Sequence, residues 1–161
     1  MADMLVRLYA LPDPAAERER LAAAGVLCRK AESLERQAVL RFVQATFPHW
    51  ADEVGAAFAS IPPNLFVATE AGAVTGFAAY NATRPNFFGP TGVAESHRAR
   101  GIGRVLLLQC LHALAAEGYA YAIIGGVGPA RFYERIVDAT LIPDSDPGIY
   151  RDMLSPEAPH E

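Results

Sequence analysis

The residues best suited to chemistry lie in one stretch, SHRARGIGRVLLLQCLHALAAEGY, residues 96–119. It opens with three arginines and two glycines, which are Arg98, Arg100, Gly101, Gly103 and Arg104. The rest of the stretch has an apolar helix pattern. A helix start presents unpaired backbone N–H groups and the positive end of the helix dipole. Glycine lets a ligand approach that backbone closely. Together these features predict a site for an anion, most naturally a pyrophosphate.

Two common phosphate-binding motifs do not fit these residues. A Rossmann loop needs a third glycine or alanine, whereas the chain has Leu106 at that place. A Walker A loop needs Gly-Lys-Ser/Thr, whereas the chain reads Gly103, Arg104 and Val105. A bare G-x-G beside arginines is also compatible with a plain glycine-rich turn in a structural protein, so that alternative stays open.

The elements that must position this helix alternate between strand and helix patterns. Apolar runs predict strands over residues 5–11, 26–31, 65–70, 73–80, 87–93, 119–127 and 148–154. Periodic patterns with breakers predict helices over residues 14–24, 34–47, 50–58 and 129–137, besides the quoted stretch. Ala71-Gly72 predicts a hairpin turn, and Gly89-Pro90 predicts a bulge or an edge in its strand. With no internal repeat or linker, the sequence predicts one α/β domain.

The composition limits the class of protein. A chain of 161 residues with 52% hydrophobic and 20% charged residues is long and apolar enough for a globular core. A formal net charge of −4 argues against a nucleic-acid partner. The N-terminus does not read as a signal peptide, and no apolar run predicts a membrane contact. Cys28 and Cys110 lack metal-ligand spacing, so we predict reduced thiols, no metal and a cytoplasmic protein.

The stretch VAESHRARGIGRVLL, residues 93–107, resembles the acyl-CoA loop of GCN5-related N-acetyltransferases, the GNAT family. The family signature R/Q-x-x-G-x-G/A is met by Arg98, Gly101 and Gly103. The interrupted strand before the loop and the Phe132-Tyr133 pair after the next strand also resemble family landmarks. The resemblance implies a single-domain GNAT-like α/β fold, in which helices flank a mixed central sheet and two central strands splay at the acyl-CoA site. We expect this domain at residues 26–154, a strand-helix addition at residues 1–25 and a tail at residues 155–161.

The resemblance also implies where acetyl-CoA would bind as a co-substrate. The backbones of Thr91, Gly92 and Val93 would bond the pantetheine amides, and the Val93 N–H would polarise the acyl carbonyl. The backbones of the following loop would hold the pyrophosphate: Arg98, Ala99, Arg100, Gly101, Ile102, Gly103 and Arg104. Tyr133 matches the family's tyrosine that protonates the departing thiolate, although a packing role for this ring is the competing interpretation.

The implied reaction is acyl transfer to an amine by direct attack. The acceptor would be a small molecule or a protein, and the protein could form a homodimer. Residues 119–128 contain no Asp, Glu or His, so the general base that some family members carry there is missing. The Asn that many members have before the second helix is replaced by GGVG. A non-catalytic acyl-CoA-binding or sensor module is therefore the alternative. Acceptor-side candidates are His49, Trp50, Asp52, Glu53, Asn86 and Phe87.

Overall fold

The computed structural model describes residues 1–154, so the predicted tail at residues 155–161 lies outside the described residues. These residues form one mixed sheet with helices on both faces. The strands are β1 Met4–Arg7, β2 Val26–Lys30, β3 Leu65–Glu70, β4 Ala73–Tyr80, β5 Phe87–Val93, β6 Tyr121–Ile124 and β7 Thr140–Leu141. The helices are α1 Ala15–Ala23, α2 Arg36–Thr46, α3 Ala51–Ala57, α4 Ile102–Ala116 and α5 Ala130–Val137.

The strand order is β2-β3-β4-β5-β6-β1-β7. All neighbouring strands are antiparallel except β5 and β6, which are parallel and are joined by a crossover through α4. The N-terminal strand β1 therefore lies inside the sheet, where it pairs with β6 on one side and with β7 on the other. Without β1, the edge of β6 would present unpaired backbone groups to solvent.

The two parallel strands separate soon after they meet. β5 pairs with β6 only at Phe87↔Ile123 and Phe88↔Ile124, and residues 89–93 have no β6 partner. On the other side of β5, the register with β4 shifts between Ala78 and Tyr80, opposite the Gly89-Pro90 interruption. The predicted splay between central strands is thus confirmed, and it opens a wedge in the middle of the sheet.

Helices cover the two faces of the sheet unequally. On one face α4 supplies an almost continuous apolar surface, and the larger core cluster forms around it with residues of β1, β6 and α5. On the other face α2 and α3 enclose a smaller cluster around Phe77. Within residues 1–154, no helix is both long and apolar enough to cross a membrane, and no group of three His, Cys, Asp or Glu side chains is placed to hold a metal ion.

Three sequence predictions of strands need correction. The first strand ends at Arg7 because Leu8–Ala10 forms a 3-10 turn, and the strand predicted over residues 119–127 spans only Tyr121–Ile124. No strand forms over residues 148–154, because Gly148 and Asp152 take positive φ angles of 53° and 58°, which extended backbone excludes. The last strand lies earlier, at residues 140–141. The helix predicted over residues 34–47 begins with a 3-10 turn at Ser33–Glu35, which has a capping box between Glu32 and Glu35, and continues as α2.

Candidate active site

The start of α4 is a tight loop whose backbone needs unusual conformations. Ala99 and Gly101 take φ angles of 63° and 88°, and Gly101 is the N-cap residue of α4 without a side-chain cap. The N–H groups of the first turn, beginning at Ile102, therefore have no side-chain acceptor from the cap residue. At Gly103 a Cβ atom would lie 3.6 Å from the Phe132 ring, so any longer side chain would extend into the space above the loop.

The arginines of this loop are held by neighbouring groups. The Arg98 Nε donates to the Val93 carbonyl oxygen at 3.2 Å, and the Arg104 Nε lies 2.8 Å from both carboxylate oxygens of Glu17. The Arg100 side chain lies toward Glu70 at 3.5 Å and is not part of the cavity wall. The loop's positive charge is thus partly neutralised, and unpaired backbone N–H groups remain its main attraction for an anion.

A further arginine lies at this loop without any hint in the local sequence. The Arg20 guanidinium, carried by α1, lies 3.4 Å from the Arg100 carbonyl oxygen. It also lies 3.1 Å from the place that a Cβ of Gly101 would occupy. Because 80 residues separate these positions, only the packing of α1 beside α4 shows that Arg20 belongs to the loop.

A cavity of about 850 Å³ runs from this loop along β5 to the region between β6 and α5, a size typical of small-molecule sites. The residues predicted for pantetheine, Thr91, Gly92 and Val93, all line it. The backbone of these residues has no partner on the β6 side. Gly92 cannot carry a side chain, because a Cβ there would lie 2.7 Å from ring carbons of Phe47. The geometry offers an extended ligand an open strand edge.

Tyr133 lies on α5 in the wall of the same cavity and is 6% exposed. Its ring packs edge-on against Phe132 and Phe88, with centroids 5.1 and 6.2 Å away. Burial raises the pKa of its phenol to about 12, which keeps the hydroxyl protonated at neutral pH. The side chain therefore packs in the core and also belongs to the cavity wall, so the two roles considered from the sequence are compatible.

The part of the cavity away from the loop is built from other segments. We call residues 98–104 the loop end, and Trp50, Glu53, Thr83 and Tyr150 the distal end. Of the acceptor-side candidates, only Trp50 and Glu53 line the cavity, whereas the structure places the others outside its wall: His49, Asp52, Asn86 and Phe87. Thr83 and Tyr150 were not found from the sequence, because neither belongs to a local motif.

The distal end depends on a buried carboxylate from the N-terminal segment. Asp3 is 6% exposed, and its Oδ1 accepts a hydrogen bond from the Gly126 N–H at 2.8 Å. Its own N–H donates to the Ser145 Oγ at 2.8 Å. Asp3 thereby ties β1 to the glycine loop after β6 and to the segment that carries Tyr150. The Tyr150 hydroxyl lies against Gly125, where a Cβ would come within 2.3 Å of it.

Comparison with known proteins agrees with this geometry. Residues 62–136 match the family model described as an acetyltransferase (GNAT) domain. A search of curated proteins gave no match.

Solved structures share the fold at low sequence identity. The GCN5-related glucosamine N-acetyltransferase region of a fungal multi-domain GH3 β-N-acetylglucosaminidase has a TM-score of 0.71 at 19% identity, over 88% of this chain and 19% of that chain. A GCN5-related N-acetyltransferase from Sphaerobacter thermophilus has a TM-score of 0.66 at 20% identity, over 88% and 48% of the two chains. A GNAT family acetyltransferase from Brucella melitensis, in complex with acetyl-CoA, has a TM-score of 0.55 at 20% identity, over 73% and 86%.

The chain spans about a fifth of the length of the fungal protein and about half of the Sphaerobacter protein. The family match covers β3 to α5, which includes the wedge between β5 and β6, the glycine loop and Tyr133. The fold around that match, with its mixed seven-stranded sheet, is the fold of these acetyltransferases. Residues 62–136 therefore match the acetyltransferase (GNAT) domain, and the described residues have the fold of GCN5-related N-acetyltransferases.

Proposed function

We propose that this protein transfers an acetyl group from acetyl-CoA to the nitrogen of an amine. The observation that carries the proposal is a single cavity that joins the glycine loop at α4, the open edge of β5 and Tyr133. Each part suits one portion of an acyl-CoA thioester: an anion site for the pyrophosphate, a strand edge for the pantetheine amides and a phenol for the sulfur. The cavity volume also suits a ligand of that class.

The loop end would hold the pyrophosphate through its backbone. The N–H groups around Ile102 and Gly103 lie at the positive end of the α4 dipole, without a side-chain cap. Arg98 and Arg104 line the cavity here, but each already has a partner within the protein. We therefore assign most of the phosphate recognition to backbone N–H groups, with Arg104 adding charge beside them.

The open edge of β5 would place the thioester. Residues 89–93 lack a β6 partner, so their backbone can pair with the amides of the pantetheine arm as an added strand would. The Val93 N–H is the proposed donor to the acyl carbonyl oxygen, where negative charge develops as the amine attacks. The Phe47 ring lies so near Gly92 that a Cβ there would come within 2.7 Å of ring carbons.

Tyr133 would protonate the departing sulfur. Since burial raises its pKa to about 12, its hydroxyl carries a proton at all pH values near neutrality. The neutral amine nitrogen attacks the acyl carbon, a C–N bond forms, the C–S bond breaks and the sulfur takes the phenolic proton. The proton that the nitrogen loses then restores the phenol. No covalent intermediate on the protein is required.

A second candidate function is supported by one observation, the absence of a carboxylate or imidazole on β6 and the loop that follows it. A site without a base there suits a module that binds acyl-CoA without transferring the acyl group. Calorimetry with acetyl-CoA followed by a thiol-release assay over a panel of amines separates the two candidates. Binding with thiol release supports the transferase, binding without release for any amine supports the module, and no binding contradicts both.

A further inference from the structure

The distal end of the cavity differs from the loop end in charge. Arginine and unpaired N–H groups dominate the loop end, whereas the distal end has Glu53 in its wall and the buried Asp3 behind it. Burial raises the pKa of Tyr150, and the negative charges of Asp3 and Glu53 raise it further. The charge of Arg84 lowers the pKa of Tyr150, but Arg84 is exposed to solvent. A ligand that lies along this cavity therefore meets positive groups at one end and negative groups at the other.

Glu53 is held with part of its carboxylate free. It lies on α3, is half-buried, and its Oε2 accepts a hydrogen bond from the Thr83 hydroxyl. Within residues 1–154, the hydrogen bonds include none to its Oε1 and no cation lies within ion-pair distance of its carboxylate. Asp146, which also lines the cavity, is 2.9 Å from the amino group of Met1. Glu53 is thus the carboxylate of this wall that has room for an additional donor.

Aromatic rings line the same cavity as this carboxylate. The ring of Trp50 stacks on Phe47 with a centroid distance of 5.2 Å and an angle of 22°, and both rings line the cavity beside Tyr150. Aromatic faces favour a cation or an apolar body, and a carboxylate favours a cation. A substrate with its own carboxylate would meet Glu53 as a like charge and would be disfavoured.

We propose that Glu53, positioned by Thr83, selects as acceptor a positively charged primary amine on an apolar body without a carboxylate. This assignment rests on the proposed acetyl transfer and adds the acceptor class to it. The ammonium group must lose two protons to become an amide N–H. Glu53 accepts the first and passes it to solvent, and the second replaces the proton that Tyr133 gives to the sulfur, so one proton is released for each thiol formed.

The test uses three probes that differ in charge. 2-Phenylethylamine carries the cation, 2-phenylethanol is its neutral counterpart, and phenylalanine is the same amine with an added carboxylate. Binding to the full chain loaded with CoA is measured by calorimetry, which requires no turnover. The amine should bind about tenfold more tightly than the alcohol, as expected for hydrogen bonds to a charged group, and phenylalanine should bind more weakly than the amine.

The variant Glu53→Gln keeps the size of the side chain and a partner for Thr83, but removes the charge. The preference for the amine over the alcohol should then disappear, while the affinity for acetyl-CoA stays unchanged. Asp52→Asn is the matched control, because it removes the same charge from the neighbouring exposed residue of α3, outside the cavity wall. It should keep the preference.

Each outcome bears on a separate claim. Equal binding of amine and alcohol to the unmodified protein, or an equal effect of the two substitutions, overturns the role of Glu53. Preference for phenylalanine overturns the exclusion of a carboxylate. A preference that depends on Glu53, without thiol release for any amine, keeps the charge selection and contradicts the proposed transfer. A thermal melt of Glu53→Gln shows whether the variant folds; if it does not, Thr83→Val, which removes only the positioning hydroxyl, should reduce the preference.

Discussion

The loop end of the cavity comes from a single run of residues, whereas the distal end is assembled from segments that are far apart in the chain. At the loop end, the turn, the N-cap glycine and the first helical N–H groups all lie within residues 98–104. At the distal end, Trp50, Thr83 and Tyr150 come from separate segments, and Asp3 ties the segment of Tyr150 to the loop after β6. For the proposed transferase, the comparison predicts that cofactor binding depends on local backbone geometry and acceptor binding on long-range packing. The four predictions below test this difference.

The largest expected effect is at the loop end. Gly103→Asp should abolish acetyl-CoA binding, a loss of 100-fold or more expected from about 3 kcal/mol of lost or repulsive phosphate interaction. The new carboxylate would occupy the space above the loop and repel the pyrophosphate. Because an acidic residue in the first turn is favourable for a helix, the variant should still fold. Calorimetry gives the affinity and a thermal melt gives the stability.

Gly103→Ala is the control for size, because its Cβ would meet only ordinary contacts at 3.6 Å or more. Its affinity for acetyl-CoA should fall less than that of Gly103→Asp. Unchanged affinity in Gly103→Asp would show that the pyrophosphate does not lie at this loop.

The next effect concerns the chemical step between the two ends. Tyr133→Phe removes the hydroxyl and keeps the ring against Phe132 and Phe88. If the phenol is the general acid, turnover should fall by ~10²–10⁴ while acetyl-CoA affinity stays the same. Tyr119→Phe, a tyrosine outside the cavity wall, is the control and should keep full turnover. Lost affinity would make the hydroxyl a cofactor contact, and full turnover would contradict its catalytic role.

At the distal end, Asp3→Ala should loosen the loop after β6. The substitution leaves the Gly126 N–H without its acceptor, so the free energy of unfolding should fall by about 1–3 kcal/mol in urea denaturation. The amine KM should rise while the acetyl-CoA affinity changes little, because the loop end is built separately. Asp3→Asn keeps an acceptor oxygen, so its free energy of unfolding should fall less. An equal loss of affinity for acetyl-CoA would show that the two ends are not independent.

The smallest effect is in the pH dependence of stability. The pKa of Tyr133 is about 12 in the folded protein, above its ordinary value of 10.0, so the folded state keeps this proton above pH 10 while the unfolded chain loses it. The stabilisation is therefore complete below about pH 10 and falls as the pH rises toward 12. In Tyr133→Phe, the alkaline decline should be shallower by about 1.4 kcal/mol per pH unit.

Urea denaturation at several alkaline pH values measures that difference. Burial also raises the pKa of Tyr80 to about 12 and of Cys28 to about 11, and both effects are present in the two proteins compared. The difference between their slopes therefore reports Tyr133 alone. Parallel slopes would show that this phenol is not shielded from solvent.

One turn and one strand interruption of the fold were predicted correctly because their cause was local. The Ala71-Gly72 hairpin forms, and both residues take the positive φ angles, 50° and 78°, that such a turn requires. The interruption at Gly89-Pro90 coincides with a register shift, since proline cannot donate to the ladder. The strand predicted at residues 148–154 was wrong because residues 148–150 form the 3-10 turn that carries Tyr150 to the cavity. Apolar content alone does not distinguish a strand from such a turn.

The sequence by itself determined the loop end, because a helix start with glycine and arginine makes an anion site from groups adjacent in the chain. It also determined the apolar α4 and the α/β class. Only the tertiary structure decided that β1 lies between β6 and β7, that Arg20 lies at the loop and that Glu53, Thr83 and Tyr150 share one wall. These residues meet through sheet pairing and core packing across large separations, and contacts of that kind leave no spacing pattern in a single sequence.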